Sequence, residues 1–164
     1  MTRREDQVGK RGQNLAASIL ASIGVNMVEK IGTPVKLIPV KCGARKNVYQ
    51  VIYGEKVSGD HRGILNDGTS VLVETKTILD RNLRWSDLRE HQPGRLLEHS
   101  VHGGLSLLVW VHESGEYVMV FPIKGFEKGK SISVQRAQEE HEKTLELIRS
   151  VENEYSREHM EHVS

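Results

Sequence analysis

The stretch SGDHRGILNDGTSVLVETK, residues 58–76, decides the fold. Its centre, Asn66-Asp67-Gly68-Thr69, separates the apolar runs HRGIL and SVLVETKT, and an Asp-Gly pair so placed predicts a tight turn between two antiparallel strands. Side chains alternate across a strand, so Glu74 and Lys76 project from one face of the second strand. Asp60 stands at the start of the first strand, and pairing through the turn brings it beside Glu74. The apolar Val71, Leu72 and Val73 predict burial for this strand. An ionised Glu and Lys cost free energy in such a place unless they are paired or meet a cation. One chemistry uses this set, the hydrolysis of a phosphodiester. Two carboxylates hold Mg²⁺ through hard oxygen ligands, the ion lowers the pKa of a bound water, and the lysine steadies negative charge developing on the phosphate.

Outward from this hairpin the chain reads as alternating helices and strands. Residues 87–101, DLREHQPGRLLEHSV, space Leu88, Leu96, Leu97 and Val101 as a helix, with Pro93 suited to its first turn. LSLLVWV, residues 105–111, has the continuous apolar character of a buried central strand, and EYVMVFPI, residues 116–123, is its hairpin neighbour. Residues 134–158 are rich in helix formers, with Leu145, Ile148 and Val151 on one face, and fraying is expected beyond Tyr155. Toward the N-terminus, residues 12–23 form a helix carrying Leu15, Ile19, Leu20 and Ile23 and closed by Gly24. TPVKLIPV, residues 33–40, suits an edge strand or strand ends because of Pro34 and Pro39, and residues 40–57 read as an extended excursion, a projecting hairpin. The pattern is α/β, a mixed central sheet flanked by helices.

The 164 residues make one domain, 1–164. No apolar run reaches the roughly 20 residues that span a bilayer, and the start MTRREDQVGKRGQ has no secretory h-region, so no membrane and a cytoplasmic location are expected. The single cysteine, Cys42, excludes an internal disulfide framework or a thiolate zinc site, leaving carboxylates, histidines and carbonyls for any metal. Net charge is +1, but residues 135–164 carry four basic and eight acidic residues, which leaves 19 basic against 14 acidic before them. The basic part is the face for a polyanion. Its cations fall near the N-terminus (Arg11), in the excursion (Lys41, Arg45, Lys46) and after the Glu-x-Lys strand (Arg81, Arg84), with Tyr49, Tyr53 and Trp85 among the latter two groups. Of eight histidines, His61 and His91 adjoin the proposed centre and suit phosphate contact; His99, His102, His112 and His141 read as solvated.

Asp60, a gap, then Glu74-x-Lys76 resembles the PD-(D/E)XK nuclease core. The sequence further resembles the RecU family of Holliday junction resolvases in order from residue 9 to 121: the Thr33-Pro34-Val35 segment, Asp60 with Gly63, Gly68 and Glu74-x-Lys76, then His91-Gln92 and Gly103-Gly104 before an apolar strand. The C-terminal helix lies outside this resemblance. It implies a restriction-endonuclease-like fold and a homodimeric Mg²⁺-dependent endonuclease acting on four-way DNA junctions, with Mn²⁺ able to substitute and no small-molecule cofactor. It further implies Ser58, Asp60, Glu74 and Gln92 as metal ligands, Lys76 as transition-state stabiliser, residues 40–57 as a stalk, and Arg62 among the DNA contacts. Gln13 stands where the family favours a glutamate and, lacking charge, is expected to bind a water or phosphate. Two rivals remain open, another PD-(D/E)XK endonuclease of restriction or repair type and a catalytically silent DNA-binding module.

Overall fold

The computed structural model describes residues 3–32, 35–39, 49–53, 59–78, 81–112 and 117–161. In chain order its elements are α1 (Arg3–Ser22), β1 (Asn26–Lys30), β2 (Val35–Pro39), β3 (Tyr49–Tyr53), β4 (His61–Ile64), β5 (Ser70–Ile78), β6 (Leu83–Arg84), a 3-10 turn (Trp85–Asp87), α2 (His91–Val101), β7 (Leu105–His112), β8 (Val118–Pro122), β9 (Ser131–Ile132) and α3 (Val134–Glu161).

The expected hairpin is β4 and β5. Leu65 and Thr69 close it at 2.9 Å, Gly68 turns the chain at φ +88°, and the Asp67 carboxylate accepts from the Thr69 N–H at 2.8 Å. A left-handed residue here favours glycine because it has no Cβ to clash. The five-stranded sheet has the order β1-β4-β5-β7-β8, which puts β5 at its centre. β5 and β7 run parallel, so the chain crosses over between them through α2; the other pairs are antiparallel.

Alternation along β5 then sorts its two faces. Val71 and Val73 pack with Ala16 and Leu20 of α1, Leu107 and Val109 of β7, and Ile148 of α3. On the other face Leu72 and Ile78 pack with the cluster of Leu96 from α2, Leu108, Trp110 and Phe121. Each fully buried aliphatic or aromatic side chain contributes about 1.5–3 kcal/mol by leaving water. Glu74 and Lys76 have the parity of Leu72 and Ile78, so the α2 side of the sheet receives them.

Several expectations need correction. α1 begins at Arg3, nine residues before Gly12, because RREDQVGKR continues the helix without any apolar stripe to reveal it. α3 runs on to Glu161 rather than fraying at Tyr155. Residues 35–39 are an edge strand ending at Pro39, as expected, but they pair with Tyr49–Tyr53 in a separate two-stranded ribbon, so the hairpin starts before residue 40, and β1 takes the place beside β4. Lys41, Arg45, Lys46 and Ser58 lie outside the described residues. Of the apolar face expected over residues 87–101, Leu88 and Leu96 are buried, but Leu88 precedes α2, which starts at His91; Leu97 is exposed and Val101 is 82% exposed. His99 is not solvated. Its ring nitrogens meet Ser106 Oγ and Ser70 Oγ, each at 2.8 Å, tying α2 to β7 and β5, and burial lowers its pKa. His141 likewise takes the Val120 N–H at 3.1 Å, which satisfies a donor on edge strand β8 from α3. No helix among the described residues is long and apolar enough to cross a membrane.

Candidate active site

Asp60 sits in a bend just before β4, its N–H donating to the Val73 carbonyl at 2.6 Å. The ladder ends at His61 opposite Val73, and Asp60, bonded to that same Val73 carbonyl, lies near enough for its charge to act on the Glu74 carboxyl, so the hairpin brings the two carboxylates together as predicted. The Asp60 carboxylate accepts from the Thr75 N–H at 2.8 Å and from Gln13 Nε2 at 2.9 Å. A carboxylate with two such donors is held in one orientation. Gln13 is thereby an anchor for Asp60, where the sequence suggested a water or phosphate ligand; an amide can donate to a carboxylate, which a glutamate at this position could not do.

Glu74 is 2% exposed. Its Oε1 accepts from Lys76 Nζ at 2.9 Å and from Gln92 Nε2, whereas its Oε2 is buried without a hydrogen bond among the described residues. Burial pushes the carboxyl above the usual range, Lys76 pulls it back, the Asp60 charge adds to the rise, and the Gly59 N–H lowers it. Lys76, 16% exposed, also donates to Gln92 Oε1 at 2.9 Å, and that oxygen further accepts the Arg89 N–H at 2.8 Å. Gln92 therefore locks Glu74, Lys76 and the entry to α2 together.

The residues fit a divalent cation with hard oxygen ligands. A buried carboxylate oxygen without a donor is costly, and a second carboxylate across the strand pair raises the cost; a cation between them removes both penalties. No group of three or more His, Cys, Asp or Glu side chains gathers among the described residues. Two carboxylates completed by neutral oxygens and a substrate phosphate are the habit of Mg²⁺.

The remaining expected contacts are dispersed. Arg62 is exposed but paired with Glu29 at 2.8 Å, and Arg81 forks onto Asp87 through two bonds of 2.8 Å. His61 is 3% exposed and offers a DNA strand no surface. His91 is half-buried; Arg11 and Arg84 are exposed. The sequence held no sign of the Thr75 and Arg89 N–H groups, since every residue but proline carries one.

Gly12 controls the approach of α1. A Cβ there would overlap Thr77 Oγ1 on β5, so only glycine lets the helix come close enough for Gln13 to reach Asp60. Gly12→Ala is expected to cost about 1–3 kcal/mol in chemical denaturation and to slow cleavage by loosening Asp60. An unchanged denaturation midpoint would refute the close packing.

The sequence pattern of RecU, Recombination protein U, matches residues 10–162. The chain belongs to the RecU family. It is therefore a Holliday junction resolving endonuclease, which hydrolyses DNA phosphodiester bonds and depends on a divalent metal. The match extends through α3, so the C-terminal helix is part of the RecU pattern and not an addition to it. No curated protein matches the chain. Among solved structures, Hjc of Archaeoglobus fulgidus, a Holliday junction resolvase from an archaeal hyperthermophile, superposes with a TM-score of 0.51 at 14% identity, covering 79% of this chain and 91% of Hjc. That likeness places the RecU chain in the restriction-endonuclease-like fold.

Proposed function

We propose that this RecU chain is a single nuclease domain, 1–164, that acts as a homodimer and uses Mg²⁺, with Mn²⁺ as a substitute, to nick paired strands at a four-way junction. The observation that carries the site assignment is the Glu74 carboxylate, which lies buried within reach of the Asp60 charge, with one oxygen lacking a hydrogen bond among the described residues and the other held by Lys76. Asp60 and Glu74 are the charged ligands, with Ser58 as a neutral one. Gln92 completes the set only if its Oε1 exchanges Lys76 and Arg89 for the ion, so in the present geometry it is a positioning residue.

When bound, the divalent ion supplies a Lewis acid for the phosphate and lowers the pKa of a coordinated water. Gln13 and the Thr75 N–H hold Asp60 in place, and Gln92 holds Glu74 against Lys76. Two of the three Lys76 donors are engaged, which leaves one for a phosphate oxygen as charge builds there. Arg11, Arg84 and His91, together with Lys41, Arg45 and Lys46 of the 40–57 stalk, contribute DNA contacts. Two copies related by a two-fold axis suit the near two-fold symmetry of a junction.

Cleavage of a synthetic four-way junction beside a linear duplex of the same sequence, with Mg²⁺, with Mn²⁺ and with chelator, tests this reading. Paired nicks in the junction are expected with either ion, and none with chelator. Equal cutting of the duplex would favour a restriction- or repair-type nuclease, and binding without cutting would favour a silent module.

A further inference from the structure

Downstream of β5 the chain builds a second concavity that the catalytic set does not use. β6 pairs with β9, Leu83 opposite Ile132 and Arg84 opposite Ser131, and the Trp85 N–H donates to the Lys130 carbonyl at 3.0 Å. Segments 84–86 and 128–131 thus become the walls of a pocket of about 430 Å³, room for one nucleotide. Its walls carry Arg84, Lys128 and Lys130 and no carboxylate. All three cations are exposed; Lys128 and Lys130 join no ion pair or side-chain hydrogen bond among the described residues, while Arg84 also acts on Asp87, whose carboxylate accepts its backbone N–H at 2.7 Å. The nearby carboxylate of Asp87 is taken up by Arg81. Trp85 is half-buried, braced edge-on against Phe126 with ring centroids 5.4 Å apart. Exposed cations lining one pocket with a braced indole match the two parts of a nucleotide, a phosphate for the cations and a base for the ring.

We propose that this pocket binds one unpaired nucleotide of the DNA substrate, its base on Trp85 and its flanking phosphates on Arg84, Lys128 and Lys130. The inference rests on the reading of the chain as a DNA-cleaving enzyme and adds a second strand contact to it. Its place along the chain suits that task. Trp85 leads through Leu88, whose N–H returns to the Trp85 carbonyl at 3.0 Å, to Arg89, whose N–H holds Gln92 of the catalytic set.

The test uses the full-length protein in chelator with two probes, a short oligo-dT strand and a blunt duplex. The chain has two tryptophans, and Trp110 is fully buried, so stacking in the pocket reads out as quenching of Trp85 emission by oligo-dT. Trp85→Leu is expected to weaken oligo-dT binding about five- to a hundredfold. The double change Lys128→Ala with Lys130→Ala, both on exposed side chains, is expected to lower the salt slope of log affinity for oligo-dT by up to about 1.4 with little effect on the duplex. It keeps the test alive should Trp85→Leu not fold. Equal weakening on both probes, or an absence of quenching, overturns the pocket and makes the lysines a generic basic patch. Junction cleavage by the unaltered protein with Mg²⁺ is measured alongside. Cleavage without quenching sinks the pocket alone, and quenching without cleavage sinks the nuclease reading and leaves a strand-binding pocket standing.

Discussion

Glu74→Gln is expected to leave junction binding within about threefold of the unaltered protein while lowering the Mg²⁺-dependent nicking rate by about a thousandfold or more, on the order of 4 kcal/mol. The substitution preserves an oxygen for Lys76 and Gln92 and removes the charge at the buried oxygen that has no hydrogen-bond partner among the described residues. Affinity is carried by cations elsewhere, and the lost charge faced phosphates, so binding has no reason to fall. The fold should tolerate the change. Burial raises the Glu74 carboxyl, so holding its charge costs more in the folded protein than in the unfolded chain, and a neutral glutamine is spared that cost. Rates on a labelled junction across a Mg²⁺ titration, with gel-shift binding in chelator, check both halves. Nicking at the ordinary rate would place the metal ligands elsewhere.

Lys76→Ala should slow nicking by about a hundredfold or more, roughly 3 kcal/mol, with binding nearly unchanged, because one preorganised cation acts on charge that appears only in the transition state. A second readout separates this from a merely structural role. Lys76 pulls the Glu74 carboxyl down against the effect of burial, so its removal lets that carboxyl rise further. Deprotonated Glu74 is the form that takes a cation, and the acid limb of the pH–rate profile should therefore move to higher pH. Lys76→Arg should return the limb toward its original position while restoring only part of the rate, since a planar guanidinium does not present charge as an ammonium does. A rate and an acid limb both unaltered in Lys76→Ala would reduce the lysine to a partner of Glu74.

The reach of each physical cause explains which parts were legible in the amino-acid order. Asn66-Asp67-Gly68-Thr69 announces its turn through backbone sterics and a side chain bonding two residues on, and the alternation of β5 follows from the pleat, so Asp60, Glu74 and Lys76 could be set together without knowledge of the rest of the chain. The same locality misled at the ends of helices. RREDQVGKR has helix-forming residues without an apolar stripe, and the start of α1 was hidden; Leu97 and Val101 have the spacing of a buried face, yet the packing of α2 covers only Leu96.

By itself the sequence determined the hairpin, the central apolar strands, the three helices and the acid–acid–lysine set, because each depends on neighbours within about a dozen residues. Tertiary structure alone decided that Gln13, 47 residues before Asp60, would anchor its carboxylate, that Gln92 would lock Glu74 to Lys76, and that Lys128 and Lys130 would line one pocket with Trp85. Those meetings follow from burying apolar faces of α1, α2 and β9 against particular partners, with Gly12 setting how near α1 may come. Hydrophobic burial is non-directional, so a local pattern states that a face will be covered and leaves to the packing of the whole chain which element covers it.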